Sequence, residues 1–285
     1  MDSIQKKLLA EVADLHDVPQ GAYSLRINGS LYGKNSSENI EIVAKTDKPG
    51  IDIYVKAGTK NESLHIPVIL SQSGLKELVY NDFHIGEDCD VTIVAGCGIH
   101  NGGDAASEHS GIHAFYVSKN AKIKYVEKHY GQGDGNGENI MNPTTYVELA
   151  ENAHMEMETV QIKGVDSTYR KTVAKVSKNA TLVVHEKIMT HGKQVADTEF
   201  EVELNGEKVY DNQKGYIKQL PIPAGEGVLS FSSSKIKVGE LSMDIFFTGF
   251  KIKILCRSDI GFAAGFEHHA VRSGTDLNIA SNDPV

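Results

Sequence analysis

Hydrophobic positions near the start of the chain follow a helical spacing. The apolar residues that share one helical face are Ile4, Leu8, Leu9, Val12 and Leu15. Pro19 and Gly21 follow this face and end the element. The pattern therefore predicts an N-terminal helix within residues 1–20.

Beyond residue 21 the chain changes to short runs rich in Val, Ile, Thr and Tyr, separated by Gly, Asn and Asp, which is typical of strands. Four runs align without gaps: DCDVTIVAGC, NAKIKYVEKH, NAHMEMETVQ and NATLVVHEKI. They start at Asp88, Asn120, Asn152 and Asn179, so the spacings are 32, 32 and 27 residues. In each run, apolar residues alternate with mixed ones, as on a strand with one buried face. The leading Asn or Asp suits a tight bend in the left-handed conformation.

A strand that recurs every 27–32 residues, with no helical pattern between copies, predicts a β-solenoid. Stacked coils then bury columns of like residues. The two predicted columns are Val91, Ile123, Met155 and Leu182, and Ile93, Tyr125, Met157 and Val184. The longer spacings contain the polar runs HNGGDAASEHSG and GQGDGNGENIMNP, which we interpret as inserted loops, the second of them flexible. An antiparallel sandwich is the alternative fold.

Composition narrows the classes of partner. With 40% hydrophobic residues, the chain of 285 residues can bury a core, and a net charge of −9 argues against nucleic acid as a main partner. No run of apolar residues is long enough to span a membrane. The N-terminal sequence lacks the apolar stretch of a signal peptide, so we expect a cytoplasmic protein. The absence of Trp weighs against a polysaccharide-binding protein.

Several segments, in the order in which they occur, resemble the SufB/SufD family, and more closely its short type. They are IYVKAG, DCDVTIVAGCGIHNG, HSGIHAFYVSKNAKIKYVEKHYGQG, NPTTYVELAENAHMEMETVQIKG and ATLVVHEKIMTHGKQVADTEFEVELNGE. The resemblance covers approximately residues 25–207, and it implies a right-handed parallel β-helix as the core of residues 21–207. Residues 208–285 depart from the family pattern and are interpreted as a divergent, β-rich C-terminal region.

The resemblance also implies a function. The family supplies scaffold subunits for iron–sulfur cluster assembly in the SUF system. A member is expected to bind sulfur and iron transiently, to act with an ABC-type ATPase, and to form a homodimer or a heterodimer with a related subunit. It is expected to catalyse no reaction of its own. A β-helix carbohydrate-active enzyme and a non-catalytic, metal-binding structural solenoid are the alternatives, and a SufB-like role is not distinguished from a SufD-like role.

Cys97 is the first candidate for this chemistry. It aligns with the cysteine of a Glu-Gly-Cys segment found in many SufB proteins, with Ala95 in place of the Glu, and the resemblance implies a role in handling sulfur. The thiolate is the form that accepts sulfur or binds iron, and we expect a loop rich in Gly and His to expose Cys97 and lower its pKa. Cys89 occupies a small-residue position of the repeat, so we expect a structural role for it.

The repeat register adds a neighbour for this thiol. One coil of 32 residues separates Cys97 from His129, and the same column continues with Gln161 and Ile188. Stacked strands lie about 4.8 Å apart, so the two side chains can reach one metal ion if they point the same way. We therefore predict Cys97 and His129 as the favoured ligand pair for iron or a cluster. An exposed thiol beside a solvated histidine is the alternative.

Other residues are secondary candidates. His100, His109 and His113 lie in the predicted inserted loop, at spacings suited to metal ligands. Further candidates in the C-terminal region are Cys256, His268 and His269. Glu158 and His185 share another column, where a hydrogen bond between coils is expected. Three cysteines cannot supply four thiolates within one chain, which favours transient binding over a stably held four-cysteine cluster.

Overall fold

The computed structural model describes residues 1–190 and 192–205, and beyond these the backbone of three strands at 226–233, 250–258 and 271–272. The described part of the protein is mainly β (61% strand), with one short helix and a β-solenoid of about five turns built from parallel sheets. The predicted parallel β-helix is confirmed, and the alternative of an antiparallel sandwich is wrong. No helix in these residues is long and apolar enough to cross a membrane.

The described residues form one helix and eighteen strands. The helix α1 is Ser3–Ala13. The first nine strands are β1 (Ala22–Ile27), β2 (Ser30–Asn35), β3 (Ile40–Ala44), β4 (Gly50–Val55), β5 (Lys60–Leu70), β6 (Lys76–Ile85), β7 (Asp90–His100), β8 (Ser107–Val117) and β9 (Lys122–Gln132). The others are β10 (Asn139–Met141), β11 (Thr144–Leu149), β12 (His154–Lys163), β13 (Ser167–Ser177), β14 (Thr181–Ile188), β15 (Val195–Asn205), β16 (Glu226–Ser233), β17 (Phe250–Ser258) and β18 (Val271–Arg272).

Two sheets form opposite walls of the solenoid. Sheet A has the strand order β18-β14-β12-β9-β7-β5-β1-β2, and sheet B has the order β16-β17-β15-β13-β10-β8-β6-β4-β3, with β11 between β8 and β13. Successive coils contribute one strand to each sheet in turn, so neighbouring strands are parallel through the middle of both sheets. Inward side chains of both sheets form the main hydrophobic core, and a second, smaller hydrophobic cluster includes Cys97.

The predicted columns are present residue by residue. Val91 pairs with Ile123, which pairs with Met155 and then Leu182. The second column, from Ile93 to Val184, has the predicted register as well. Because the period of a strand is two residues, a slip by one would have turned every core residue outward.

The bend before each of these strands repeats in the same geometry. Asp88, Asn120, Asn152 and Asn179 have φ values of 57°, 60°, 59° and 56°, in the left-handed region that Asn and Asp tolerate best. Their side chains form a ladder in which each amide nitrogen donates to the residue one coil earlier, at 3.1, 3.2 and 3.3 Å. The predicted role of the leading Asn or Asp is confirmed.

The two glycine-rich inserts are stacked parts of their coils. The turn after β7 and the turn after β9 are joined by backbone hydrogen bonds from Gly135 to Asn101 (3.2 Å) and from Gly137 to Gly103 (2.9 Å). A Cβ atom at Gly133 would lie 1.9 Å from the Asn101 carbonyl oxygen, so only glycine allows this approach. These contacts hold the second insert against the first, and its flexibility stays a prediction. The first predicted loop is too long, since β8 already begins at Ser107.

Helix α1 covers the outer face of sheet A. It begins with a capping box between Asp2 and Gln5, and ends at Ala13, earlier than the predicted limit of residue 20. The helix lies over Gly96 and Gly98, where added Cβ atoms would lie 2.5 Å from the Val12 oxygen and 3.0 Å from the Leu8 Cβ. The outward positions on either side of Cys97 therefore have no side chain because the helix packs against them.

Candidate functional site

A group of polar side chains lies inside the solenoid, between the two sheets. This interior cluster consists of Glu77, Asn81, His109, His113, Glu127, His129, Gln161, Thr168, Arg170 and Glu186, all of them buried. Buried charged residues are uncommon because they lose hydration, and they persist when they are paired or serve a function. The cluster is therefore the candidate functional site.

Cys97 lies within β7, and its side chain points inward. It is 2% exposed, and burial raises the pKa of its thiol well above the usual value, with the charges of Glu77 and Glu127 acting in the same direction. The expectation of an exposed cysteine with a lowered pKa is wrong, because the strand does not end at Cys97 but continues to His100. Cys97 is a neutral thiol in the folded protein.

The predicted column through Cys97 is confirmed. Cys97 pairs with His129, His129 with Gln161, and Gln161 with Ile188. His129 is also buried, at 5% exposure, so the alternative of a solvated histidine beside an exposed thiol is wrong.

A small cavity of about 10 Å³ adjoins Cys97, which is room for about one water molecule. Polar groups and glycines from both sheets line it, together with apolar side chains. The lining residues are Ile66, Val68, Asn81, Ala95, Gly96, Cys97, His109, Gly111, His113, Glu127, His129 and Pro143. Cys97 and three histidines therefore share one interior space.

Glu127 is the acceptor at the centre of the cluster. Its Oε2 accepts a hydrogen bond from Arg170 Nη1 at 2.6 Å, and its Oε1 accepts one from the Tyr125 hydroxyl at 3.0 Å. Burial acts to raise the pKa of Glu127, but His129 and Arg170 hold it well below its usual value. Glu127 is thus an ionised carboxylate and not a proton acceptor at neutral pH.

Both nitrogens of His129 face groups of this network. Arg170 Nη2 lies 3.1 Å from Nδ1, and Glu127 Oε1 lies 3.6 Å from Nε2. Arginine can only donate, so Nδ1 must accept, and the hydrogen of the neutral ring is on Nε2. Burial lowers the pKa of His129, which favours this neutral form.

His113 is fixed in a similar way. Its Nδ1 lies 2.7 Å from the Tyr125 hydroxyl, and its Nε2 lies 3.4 Å from the Asn81 amide nitrogen. Burial lowers the pKa of His113 to about 4, so the ring is neutral at neutral pH. The Asn81 amide donates to Nε2, and Nδ1 then donates to Tyr125, whose hydroxyl donates to Glu127.

His109 differs from the other two histidines. Its Nδ1 lies 3.6 Å from Glu77 Oε2, and Glu77 Oε1 accepts a hydrogen bond from Arg26 Nε at 2.6 Å. Burial acts to raise the pKa of Glu77, but His109 and Arg26 bring it below its usual value. His109 Nε2 faces the space over Gly111, where an added Cβ would lie 3.6 Å from it and 2.9 Å from His113 Nε2.

The predicted loop position of the histidines is wrong. His109 and His113 occupy inward positions of β8, since β8 starts at Ser107. His100 is the last residue of β7 and lies beside the Gly102 turn, away from the residues that line the cavity.

The structure bears differently on each of the remaining candidates. The backbone of Cys256 pairs with Thr198 in sheet B, while His268 and His269 lie outside the described residues. Cys89 is buried at a bend, where its Sγ donates to the Lys56 carbonyl at 3.1 Å. Glu158 and His185 have the predicted register, and the hydrogen bond between their side chains stays a prediction.

The sequence interpretation missed Glu77, Glu127 and Arg170. A signal for Glu127 was present, because Tyr125, Glu127 and His129 alternate along one strand and must share its inward face. Arg170 could have been found in the same way only with β13 recognised as a strand of the solenoid.

The donor set is small. Among the residues that the structure describes, no group of three or more His, Cys, Asp and Glu side chains is arranged to hold a metal ion. The folded cluster therefore does not form a complete protein-only metal site.

Comparisons with known proteins add no assignment. No family model, no curated protein and no solved structure matches the chain. The fold and the interior cluster define the protein as a β-solenoid with a buried site of one thiol, three histidines and paired charges.

Proposed function

We propose that the protein is a scaffold for iron–sulfur cluster assembly, which takes up iron and sulfur transiently inside its solenoid. The observation that carries this proposal is the presence of Cys97 and three histidines around one interior cavity. Thiolate and imidazole are ligands that suit iron. Iron and sulfur are the cargo of this protein and not resident cofactors.

The small donor set supports transient binding. No three of the described donors are arranged to hold one metal ion, so coordination positions are left for sulfide or for groups of a partner. The raised pKa of the Cys97 thiol means that loading with metal must displace a proton, which weakens binding at neutral pH. A scaffold that must release its cargo benefits from both properties.

The partners belong to the same proposal. An ABC-type ATPase and a second copy or a related SufB or SufD subunit are proposed on the resemblance of residues 25–207, and the protein is proposed to act in the cytoplasm without a catalytic reaction of its own. Capture of such an ATPase on the tagged full chain in its native host tests this part. Repeated capture of no ATPase would count against it.

Anaerobic reconstitution of the full chain with ferrous iron and sulfide tests the scaffold function. The wild type and a Cys89→Ser control should develop the visible absorption of an iron–sulfur cluster, and Cys97→Ser should not. If the wild type develops no such absorption, alone or with the ATPase, the proposal fails.

A structural, metal-binding solenoid is the second candidate, and the depth of the site favours it. Cys97 and His129 are 2% and 5% exposed, which suits a metal ion held for stability. This candidate expects metal binding with a gain in thermal stability and no uptake of sulfide, so the reconstitution separates the two functions.

A further inference from the structure

We propose that His109, rather than His129, is the imidazole that binds a divalent cation together with Cys97, and that Glu77 is the residue that orients His109. The identity of the cation as ferrous iron rests on the proposed function. The choice of ligand rests on the hydrogen bonds and packing of the interior cluster.

The lone pairs of His129 and His113 are already used. A histidine binds a metal through a ring nitrogen that carries no hydrogen. In His129, Nδ1 accepts from Arg170 and Nε2 carries the hydrogen. In His113, the Asn81 amide donates to Nε2 and Nδ1 donates to Tyr125. Neither ring can bind a cation unless the network rearranges.

His109 has the arrangement of a metal-binding histidine. Ligand histidines usually direct one ring N–H to a carboxylate, which fixes the tautomer and leaves the other nitrogen for the metal. Glu77 Oε2 and His109 Nδ1 face each other at 3.6 Å, and within the described residues both atoms are buried without a hydrogen-bond partner. Unsatisfied buried atoms of this kind call for an explanation, and a ligand that draws the pair together provides one.

The surroundings keep His109 Nε2 accessible from the cavity. Glu77 and His109 are 7% and 6% exposed, and Arg26 holds the other carboxylate oxygen. Gly111 has no side chain, and an added Cβ there would lie 3.6 Å from His109 Nε2. Cys97 lines the same cavity from the opposite sheet. A sulfur and a nitrogen ligand therefore face one space from two walls.

This donor pair selects a class of cation. One thiolate and one imidazole suit Fe²⁺, Co²⁺ or Zn²⁺ rather than Ca²⁺ or Mg²⁺, which prefer oxygen ligands. Beside the two protein ligands, the cavity has room for about one small further ligand, such as a water molecule.

Anaerobic titration with Co²⁺ alone tests the inference on the full chain carrying Cys89→Ser and Cys256→Ser, so that Cys97 is its single thiol. Three variants are compared with this parent: the matched pair His109→Asn and His129→Asn, and Glu77→Gln. His109→Asn keeps an amide donor near Glu77 but removes Nε2, and His129→Asn keeps an acceptor near Arg170. We expect the thiolate-to-cobalt absorption band to form in the parent and in His129→Asn with similar affinity. Binding should weaken at least about 10-fold in His109→Asn, and about 10- to 100-fold in Glu77→Gln.

Three results would overturn the inference. They are loss of Co²⁺ binding in His129→Asn with retention in His109→Asn, equal affinity of all variants, and absence of binding by the parent. Circular dichroism of each variant separates lost binding from lost folding. A histidine variant that unfolds is replaced by the Gln substitution at the same position, and Glu77→Gln is replaced by Glu77→Asp. Neither sulfide nor the ATPase is present in this titration. Co²⁺ binding can therefore follow the expected pattern even if cluster assembly fails, and cluster assembly can succeed even if Co²⁺ binding does not follow the pattern.

Discussion

Arg170 Nη2 lies 3.1 Å from Nδ1 of His129, although the two residues are 41 positions apart and belong to opposite sheets. Through its other nitrogens the same guanidinium contacts Glu127 at 2.6 Å and Glu186 at 3.5 Å. Arg170 thus connects the walls of the solenoid and compensates buried carboxylates. It has the largest predicted effect on stability of the substitutions considered below.

Replacing Arg170 with Gln should lower the free energy of unfolding by about 3–5 kcal/mol, because removing one partner leaves a buried carboxylate uncompensated. Chemical denaturation followed by circular dichroism measures this change. Lys175→Gln is the matched control, since its pair with Glu148 is exposed and should contribute less than about 1 kcal/mol. Similar losses in the two variants would show that Arg170 is not the central charge of the cluster.

Stability should decrease as the pH falls from 6.5 towards 4. The folded protein holds His113 neutral with a pKa of about 4, against an ordinary value of 6.5, so between these values the unfolded chain binds more protons. His129 and His65, whose pKa values burial also lowers, act in the same direction. For His113 alone the change reaches about 3 kcal/mol.

The lowered pKa of Glu127 affects the stability of the protein over a lower pH range than the histidines do. Its contribution is present above the ordinary value of 4.5 and is lost as the pH falls through the folded value. Denaturation curves from pH 7.5 to 4.5 therefore mainly measure the histidines. His113→Asn, which does not titrate, should show a smaller slope than the wild type, and an unchanged slope would contradict the assignment to His113.

Gly96→Ala should loosen helix α1. Its Cβ would lie 2.5 Å from the Val12 oxygen and 2.9 Å from the Lys128 oxygen, both of them backbone atoms, so the helix must shift. Overpacking of this kind costs about 1–3 kcal/mol. Faster tryptic cleavage after Lys6 and Lys7 is the measurement.

Gly102→Ala is the control for this experiment. An added Cβ there meets no atom closer than 3.5 Å, so cleavage of α1 should proceed as in the wild type. If Gly96→Ala is cleaved at the same rate as the control, the packing of helix α1 does not depend on a glycine at position 96.

At the bends, Asn120→Ala should destabilise more than Asn120→Gly. Alanine at a φ of 60° costs about 1–2 kcal/mol, which glycine avoids, while both lose the side-chain bonds to Asp88 and Asn152. Thermal unfolding of the two variants gives the difference. An equal loss for both would assign the effect to the ladder bonds rather than to the backbone conformation.

The stacking of coils could be predicted because it depends on period and alternation alone. The spacing of 32 residues was sufficient to pair Cys97 with His129, and the structure has that register. Leading Asn residues predicted the bends because few other residues adopt a positive φ.

The site could be predicted only in part, because several of its contacts run between the sheets. The repeat spacing relates residues on neighbouring strands of one sheet, so it could not show that Arg170 of sheet B reaches His129 of sheet A. Glu77 and His109 are register partners on β6 and β8, 32 residues apart, and were missed because only runs of sheet A had been aligned. The polarity around Cys97 suggested a loop, whereas His109 and His113 are inward residues of a strand. Because Cys97 lies within a strand and not at the edge of a loop, it is buried, and burial raises its pKa where a lowered pKa was expected.

The ladder from Asp88 to Asn179 makes each coil a unit that can be copied. Its last interval, 27 residues from Asn152 to Asn179, has neither the thiol nor the glycine-rich turns, yet it keeps the same bend and the same hydrogen bond to its neighbour. A second copy of residues 152–178, inserted after residue 178, should lengthen the solenoid by one coil at a cost in stability, because it adds a second buried Arg170 and separates the original one from Glu186. The distance between the cavity and β15 would then become an adjustable property.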